Sequence, residues 1–157
     1  KGVGEMIKEG TFEKATYACL PHKFEAWSPD IAGGIVLGVA IDYLNAIGFD
    51  NIEAYEQELL DYATKRLQEF DGIEFYGTSE HKASVISFNF TGIHPYDVGA
   101  IIDKLGVAVR TGHHCAQPIM NYFNIPGTIR ASFAFYNTKE EIDIFIEALK
   151  KAKNMLS

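Results

Sequence analysis

Val107-Ala108-Val109-Arg110-Thr111-Gly112-His113-His114-Cys115-Ala116-Gln117-Pro118 is an apolar, β-branched run that stops at an arginine and gives way to a glycine, two histidines and a cysteine. The run reads as a strand over 107–111, and Gly112 and Pro118 bracket an irregular loop. The thiol therefore sits just past a strand end, where backbone support is firm and the side chain can face a cleft. A cation and imidazoles nearby are the neighbours that raise the thiolate fraction of a cysteine. The stretch has the composition of a nucleophile's surroundings.

Working outward, His94-Pro95-Tyr96-Asp97 opens a helix that runs to Leu105 and closes at Gly106. On the other side, 120–123 makes one helical turn, 128–135 a strand, and Thr138 caps an amphipathic helix to about Met155. Before these, 73–76 and 83–90 are short β-rich runs separated by the polar turn 77–82, a pattern for adjacent antiparallel strands. The order from residue 73 is strand, strand, helix, strand, strand, helix. This predicts an α+β fold, a mostly antiparallel sheet with helices packed on one face.

Nearer the start, two short strands are expected at 6–12 and 15–19, then a polar and aromatic loop from His22 to Asp30. Asp30 is placed to cap a helix over 31–47 that is apolar nearly all round. Such a helix is expected to be buried, with Gly48 as its stop. The following helix, capped by Asp50 or Asn51 and ending near Asp71-Gly72, alternates Ile52, Tyr55, Leu59, Tyr62, Ala63, Leu67 and Phe70 with charged residues and should be half exposed.

At 157 residues with 47% hydrophobic content the chain can bury one sizeable core, and a single domain over 1–157 is expected. A formal charge of −7 argues against nucleic acid as a partner, and no apolar run approaches the ~18 residues of a membrane span. Cys19 and Cys115 make no disulfide framework, which suits a cytoplasmic setting. Metal binding is not expected: a structural zinc site needs four suitably spaced ligands, and Cys19, His22, His81 and His94 add no recognisable second pair to the 113–115 cluster. Arg130, inside an otherwise apolar strand, either pairs with an internal carboxylate or faces a site.

Arg110-Thr111-Gly112-His113-His114-Cys115-Ala116-Gln117-Pro118 resembles the cysteine-bearing motif of the SufS-type, group II cysteine desulfurases and selenocysteine lyases of the class V aminotransferase superfamily. Gly4-Glu5-Met6-Ile7, Phe24-Glu25-Ala26, Ile31-Ala32-Gly33-Gly34, Arg130-Ala131-Ser132-Phe133 and Tyr136-Asn137-Thr138 follow in the family's order. The resemblance implies the small C-terminal domain of a fold-type I enzyme, with the large domain upstream of Lys1. It also implies pyridoxal 5′-phosphate as cofactor, bound by that large domain through a lysine outside this chain.

By the same resemblance, Cys115 is the catalytic nucleophile and takes a persulfide as L-cysteine becomes L-alanine. Arg130 binds the substrate α-carboxylate, Arg110 faces the substrate or the cysteine, and His113 and His114 shape the loop or assist proton movement. L-Selenocysteine is a second candidate substrate. A sulfur acceptor protein, iron–sulfur cluster assembly and a homodimer complete the implied setting, and the chain by itself is expected to be inactive.

Two positions need separate treatment. Where the family has Gly-Thr-Pro, this chain has Trp27-Ser28-Pro29, and the Ser28 hydroxyl is expected to reach the cofactor phosphate of the other subunit. Ser79-Glu80-His81-Lys82 mimics the cofactor-lysine motif but falls in a polar turn, so Lys82 is read as a surface residue. The alternative for the whole chain is a non-catalytic α+β module that binds a ligand or partner and keeps a buried, structural cysteine.

Overall fold

The computed structural model describes residues 7–11, 13–20, 22–24 and 30–157, and the chain divides into two compact units, 1–48 and 49–157. In the first, β1 (Ile7–Gly10) and β2 (Ala15–Tyr17) pair antiparallel. The Thr11 hydroxyl holds the connecting turn by accepting from the backbone N–H groups of Glu13 and Lys14. A single 3₁₀ turn spans His22–Phe24.

Helix α1 (Ile31–Ile47) begins as the sequence predicts, with the Asp30 carboxylate accepting from Gly33 N at 2.8 Å. Gly33 leaves the Asp30 carboxylate room to sit over the helix start, where a Cβ would lie 2.3 Å from one of its oxygens and displace it. Gly48, at φ 90°, ends the helix in a backbone region that favours glycine. The expectation of burial is overturned. No residue of α1 is buried, and Ile35, Val36, Leu37 and Val39 are 61–66% exposed. An apolar surface states what a helix requires, and nothing described within its own unit supplies the cover.

The second unit is one four-stranded sheet under a helical layer. Its strands are β3 (Ile73–Tyr76), β4 (Val85–Phe90), β5 (Arg110–Gly112) and β6 (Thr128–Ser132), in the order β3-β4-β6-β5 with every pair antiparallel. Alternation decides which side is buried. Ile86, Phe88, Phe90, Ile129 and Ala131 face the helices, while Ser87 and Arg130, paired across β4 and β6, face the other way.

The helices of the core layer are α2 (Phe49–Leu67), α3 (Pro95–Lys104) and α5 (Lys139–Leu156), which contribute Leu59, Leu60, Ala63, Leu67, Val98, Ile102, Phe145, Ile146 and Leu149 to one continuous core. Each fully buried Val, Leu, Ile or Phe side chain contributes about 1.5–3 kcal/mol. Phe88 sits at the centre, edge-on to Phe90 and Phe145. Tyr55 and Tyr62 of α2 tie that helix to α5: the Tyr55 hydroxyl donates to Asn137 O at 2.9 Å, and Tyr62 donates to Asp143, which also pairs with Arg66.

Local signals set several boundaries. Thr138 and Glu141 form a reciprocal capping box at the start of α5, an arrangement worth about 1 kcal/mol. The bonds from Asn137 and from the Thr138 backbone hold the Glu141 carboxyl below its usual pKa. His94 caps α3 ahead of Pro95. A short helix, α4 (Gln117–Phe123), is longer than the turn expected and lies on the side of the sheet opposite the core layer, where Phe123 meets Tyr76 edge-on at 5.3 Å. Among the described residues no single helix is long and apolar enough to cross a membrane.

Candidate active site

Strand β5 is displaced from its expected place. Val107 and Val109 pack against the core without joining the ladder, which starts at Arg110. Likewise 133–135 leave β6 after Ser132, where Phe133 N bonds to Ser84 O. The consequence is a register in which Arg110 pairs with Arg130, Thr111 with Ile129 and Gly112 with Thr128.

Direct partners on antiparallel strands share a face, so the two arginine side chains leave the sheet on the same side from paired positions. Like charges in that arrangement destabilise a sheet. Arg130 is half-buried, and its Nε is buried without a hydrogen-bond partner among the described residues. Among the described residues neither arginine forms an ion pair. An anion is what this row lacks. Both arginines line a cleft of about 530 Å³ together with Ala108, Val109, Thr111 and Ser132, and a planar carboxylate matches the fork of an arginine.

Past Gly112 (φ 119°) the chain makes a tight turn: Ala116 N bonds to His113 O at 2.8 Å, and Cys115 N donates to His113 Nδ1 at 3.1 Å. His114 and Cys115 both hold left-handed backbone, φ 52° and 58°. For residues with a Cβ that conformation costs on the order of 1–2 kcal/mol each, so something must hold the turn.

Two contacts with the start of β6 do so. His114 Nε2 lies 3.1 Å from Thr128 O and 3.0 Å from Thr128 Oγ1, with Thr128 only 1% exposed. Gly127 packs against the Gly112 backbone so closely that a Cβ would sit 2.6–2.8 Å from its main-chain atoms. The Gly127 carbonyl in turn accepts from buried Asn89 Nδ2 at 2.8 Å. Burial pushes the His114 imidazole below its ordinary pKa, and the positive fields of Arg130, His113 and Arg110 act in the same direction against the bond from Thr128.

Cys115 is exposed, which corrects the burial that the non-catalytic alternative gave this cysteine. Lys82 lies in the β3–β4 turn, half-buried, with its ammonium donating to Gly77 O at 3.3 Å. Ser28 lies outside the described residues. No group of three or more His, Cys, Asp and Glu side chains among the described residues could hold a metal ion. Thr128, Gly127 and Asn89 were not singled out in the sequence: Pro126-Gly127 reads as a turn signal, and nothing local marks the other two.

Against known proteins, the family model described as aminotransferase class-V matches residues 1–145. The chain is 50% identical over 155 residues to a probable cysteine desulfurase of Xylella fastidiosa (strain Temecula1 / ATCC 700964), covering 99% of this chain and 37% of that protein. It is 52% identical to a probable cysteine desulfurase of Staphylococcus aureus (strain Mu50 / ATCC 700699), covering 98% and 38%. Its fold matches the crystal structure of the cysteine desulfurase CsdA from Escherichia coli with a TM-score of 0.84 at 32% identity, over all of this chain and 39% of that one. A cysteine desulfurase from Thermococcus onnurineus NA1 matches with a TM-score of 0.82 at 38% identity, over 99% and 39%. The chain thus spans under two-fifths of the length of these relatives.

Proposed function

The chain belongs to the class-V aminotransferase family, and we propose that it forms the part of a cysteine desulfurase that carries the sulfur-accepting thiol and the substrate's carboxylate clamp. The observation that carries this reading is the Arg110–Arg130 pair, with the Arg130 Nε buried and unpartnered among the described residues, on the ladder that runs directly into the Cys115 turn. The strand rise of about 3.3 Å puts the arginine row roughly 7 Å along the ladder from the Gly112–Thr128 pair. A small amino acid can span such an interval, with its carboxylate on one end and its side chain toward the thiol.

The described residues fit the substrate and not the cofactor. The basic row offers donors for a carboxylate, whereas Lys82, the motif-like lysine, bonds to a turn carbonyl instead of lying in a desolvated pocket. Pyridoxal phosphate, when bound by the full-length protein, supplies the electron sink for carbon–sulfur cleavage. On this chain, Arg130 and Arg110 hold and orient the carboxylate, and the exposed Cys115 thiolate attacks the substrate sulfur. A sulfur–sulfur bond forms, the substrate Cβ–sulfur bond breaks with its electron pair going to carbon, and protonation there yields L-alanine and a Cys115 persulfide.

The 110–118 motif supports the SufS-type, group II branch. In that setting the persulfide sulfur passes to an acceptor protein for iron–sulfur cluster assembly, in a cytoplasmic homodimer, with L-selenocysteine as a second substrate. The test is to express the full-length gene product, load it with pyridoxal phosphate, and measure alanine release from L-cysteine. Release that depends on Cys115 and Arg130 supports the proposal; no release, or release unaffected by Cys115→Ala, overturns it.

A further inference from the structure

Three groups at or just before the start of β6, the Thr128 carbonyl, the Thr128 hydroxyl and the Gly127 backbone, converge on the nucleophile turn, and their chemistry separates two roles for His114. The Thr128 carbonyl can only accept, so the His114 Nε2 that meets it at 3.1 Å carries the hydrogen, with the Thr128 hydroxyl as a second partner at 3.0 Å. That nitrogen is committed to a buried strand residue. His113 is also committed, since its Nδ1 accepts from Cys115 N–H and shapes the turn from within.

The turn needs such a pin. His114 and Cys115 are consecutive left-handed residues without being glycine, and α4 begins at Gln117 with no side-chain cap from Ala116. Beyond the bonds inside the turn, restraint comes from the chain entering β6: the Gly127 backbone against Gly112, and Thr128 against the His114 ring. Asn89, buried in β4, fixes Gly127 in turn. Two residues beyond Thr128 on β6 is Arg130.

We propose that His114 is a positioning residue that pins the Cys115 turn to the strand carrying Arg130, so that thiol and carboxylate clamp keep one fixed separation, and that it takes no part in proton transfer. This rests on the reading of Cys115 as the nucleophile. A displacement of about 1 Å between reacting groups can cost on the order of 100-fold in rate, so a pin of this kind is felt in turnover and not in substrate affinity.

The test uses the full-length holoenzyme with His114→Ala, His114→Gln and Thr128→Val. A glutamine amide can still donate to the Thr128 carbonyl but cannot titrate. His114→Ala is expected to lower kcat by about 10- to 100-fold with little change in KM for cysteine, as for loss of placement alone. His114→Gln should recover most of that loss and leave the shape of the kcat–pH profile unchanged. Thr128→Val, which removes only the hydroxyl, should cost a few-fold at most.

Amide exchange over 113–117 provides a readout independent of turnover, accelerating in His114→Ala by roughly 10-fold or more and returning toward wild type in His114→Gln. Glutamine as impaired as alanine, or a displaced pH limb in the glutamine variant, would overturn the proposal in favour of proton transfer. Wild-type turnover and exchange in His114→Ala would overturn it outright. Should the wild-type holoenzyme release no alanine, the desulfurase reading fails, and the exchange rates still decide whether His114 pins the turn.

Discussion

Arg110 and Arg130 face each other as direct partners on β5 and β6, and Arg130 keeps a buried Nε that has no hydrogen-bond partner among the described residues. Nothing in the fold requires this pairing, because either position could hold a neutral side chain. The sheet tolerates a repulsive pair at its edge, which is the signature of a group reserved for a ligand.

Arg110→Gln should therefore stabilise the protein in urea by about 0.2–1 kcal/mol, the size of a relieved cross-strand repulsion, while raising KM for cysteine in the full-length enzyme. Arg130→Lys keeps the charge and loses the fork. Its expected cost is about 1.5–3 kcal/mol, a ~10- to 100-fold rise in KM. Equal KM values for wild type and both variants would remove the clamp.

Cys115→Ala should abolish alanine formation by the full-length protein while shifting stability by less than about 0.5 kcal/mol, because the side chain is exposed. The 157-residue polypeptide alone, given pyridoxal phosphate and cysteine, should release no alanine. Amino-acid analysis of the reaction mixture checks both outcomes.

Burial holds His114 below its ordinary pKa in the folded protein. The unfolded chain thus binds a proton at this site at higher pH than the folded chain, so the site's contribution to stability falls as pH drops through the unfolded value near ~6.5. That contribution is gone once the pH is below the folded value too. Urea midpoints followed from about pH 8 downward should fall less steeply in His114→Gln than in wild type; identical slopes would assign the pH dependence elsewhere.

Gly127→Ala adds a methyl group 2.6–2.8 Å from the Gly112 backbone. Main-chain atoms cannot rotate away as a side chain would, so the ladder must open at that end. A loss of about 1–3 kcal/mol is expected, with faster amide exchange at 112–116. Gly77→Ala, at a turn where a Cβ meets nothing within 4 Å though φ is 75°, is the control: it should cost about 1 kcal/mol through the backbone alone and leave that segment unchanged.

The parts of this fold that were legible in the sequence are those set by neighbours in the chain. Asp30, Gly48, His94 and Thr138 each act on residues within a turn of themselves, and each marks the boundary expected of it. Strand β3 also falls where its β-rich run predicts. The site residues Arg110, His113, His114, Cys115 and Arg130 were singled out from chemistry and a motif. Their arrangement was not legible, because register is a relation between strands distant in sequence. Val107–Val109 shows why: an apolar β-branched run is equally suited to pairing and to packing, and here it packs. Helix α1 fails differently, since periodicity reports a surface that demands cover and is silent on whether cover is present.

That uncovered helix gives the polypeptide a temperature-signed solution behaviour. Association through apolar side chains is entropically driven near room temperature and fades on cooling, while the formal charge of −7 keeps molecules apart most effectively in dilute salt. Cold, low-salt buffer should keep the chain dispersed, and warming it in ammonium sulfate should drive reversible clouding that Val36→Glu or Leu37→Lys in α1 postpones to higher temperature.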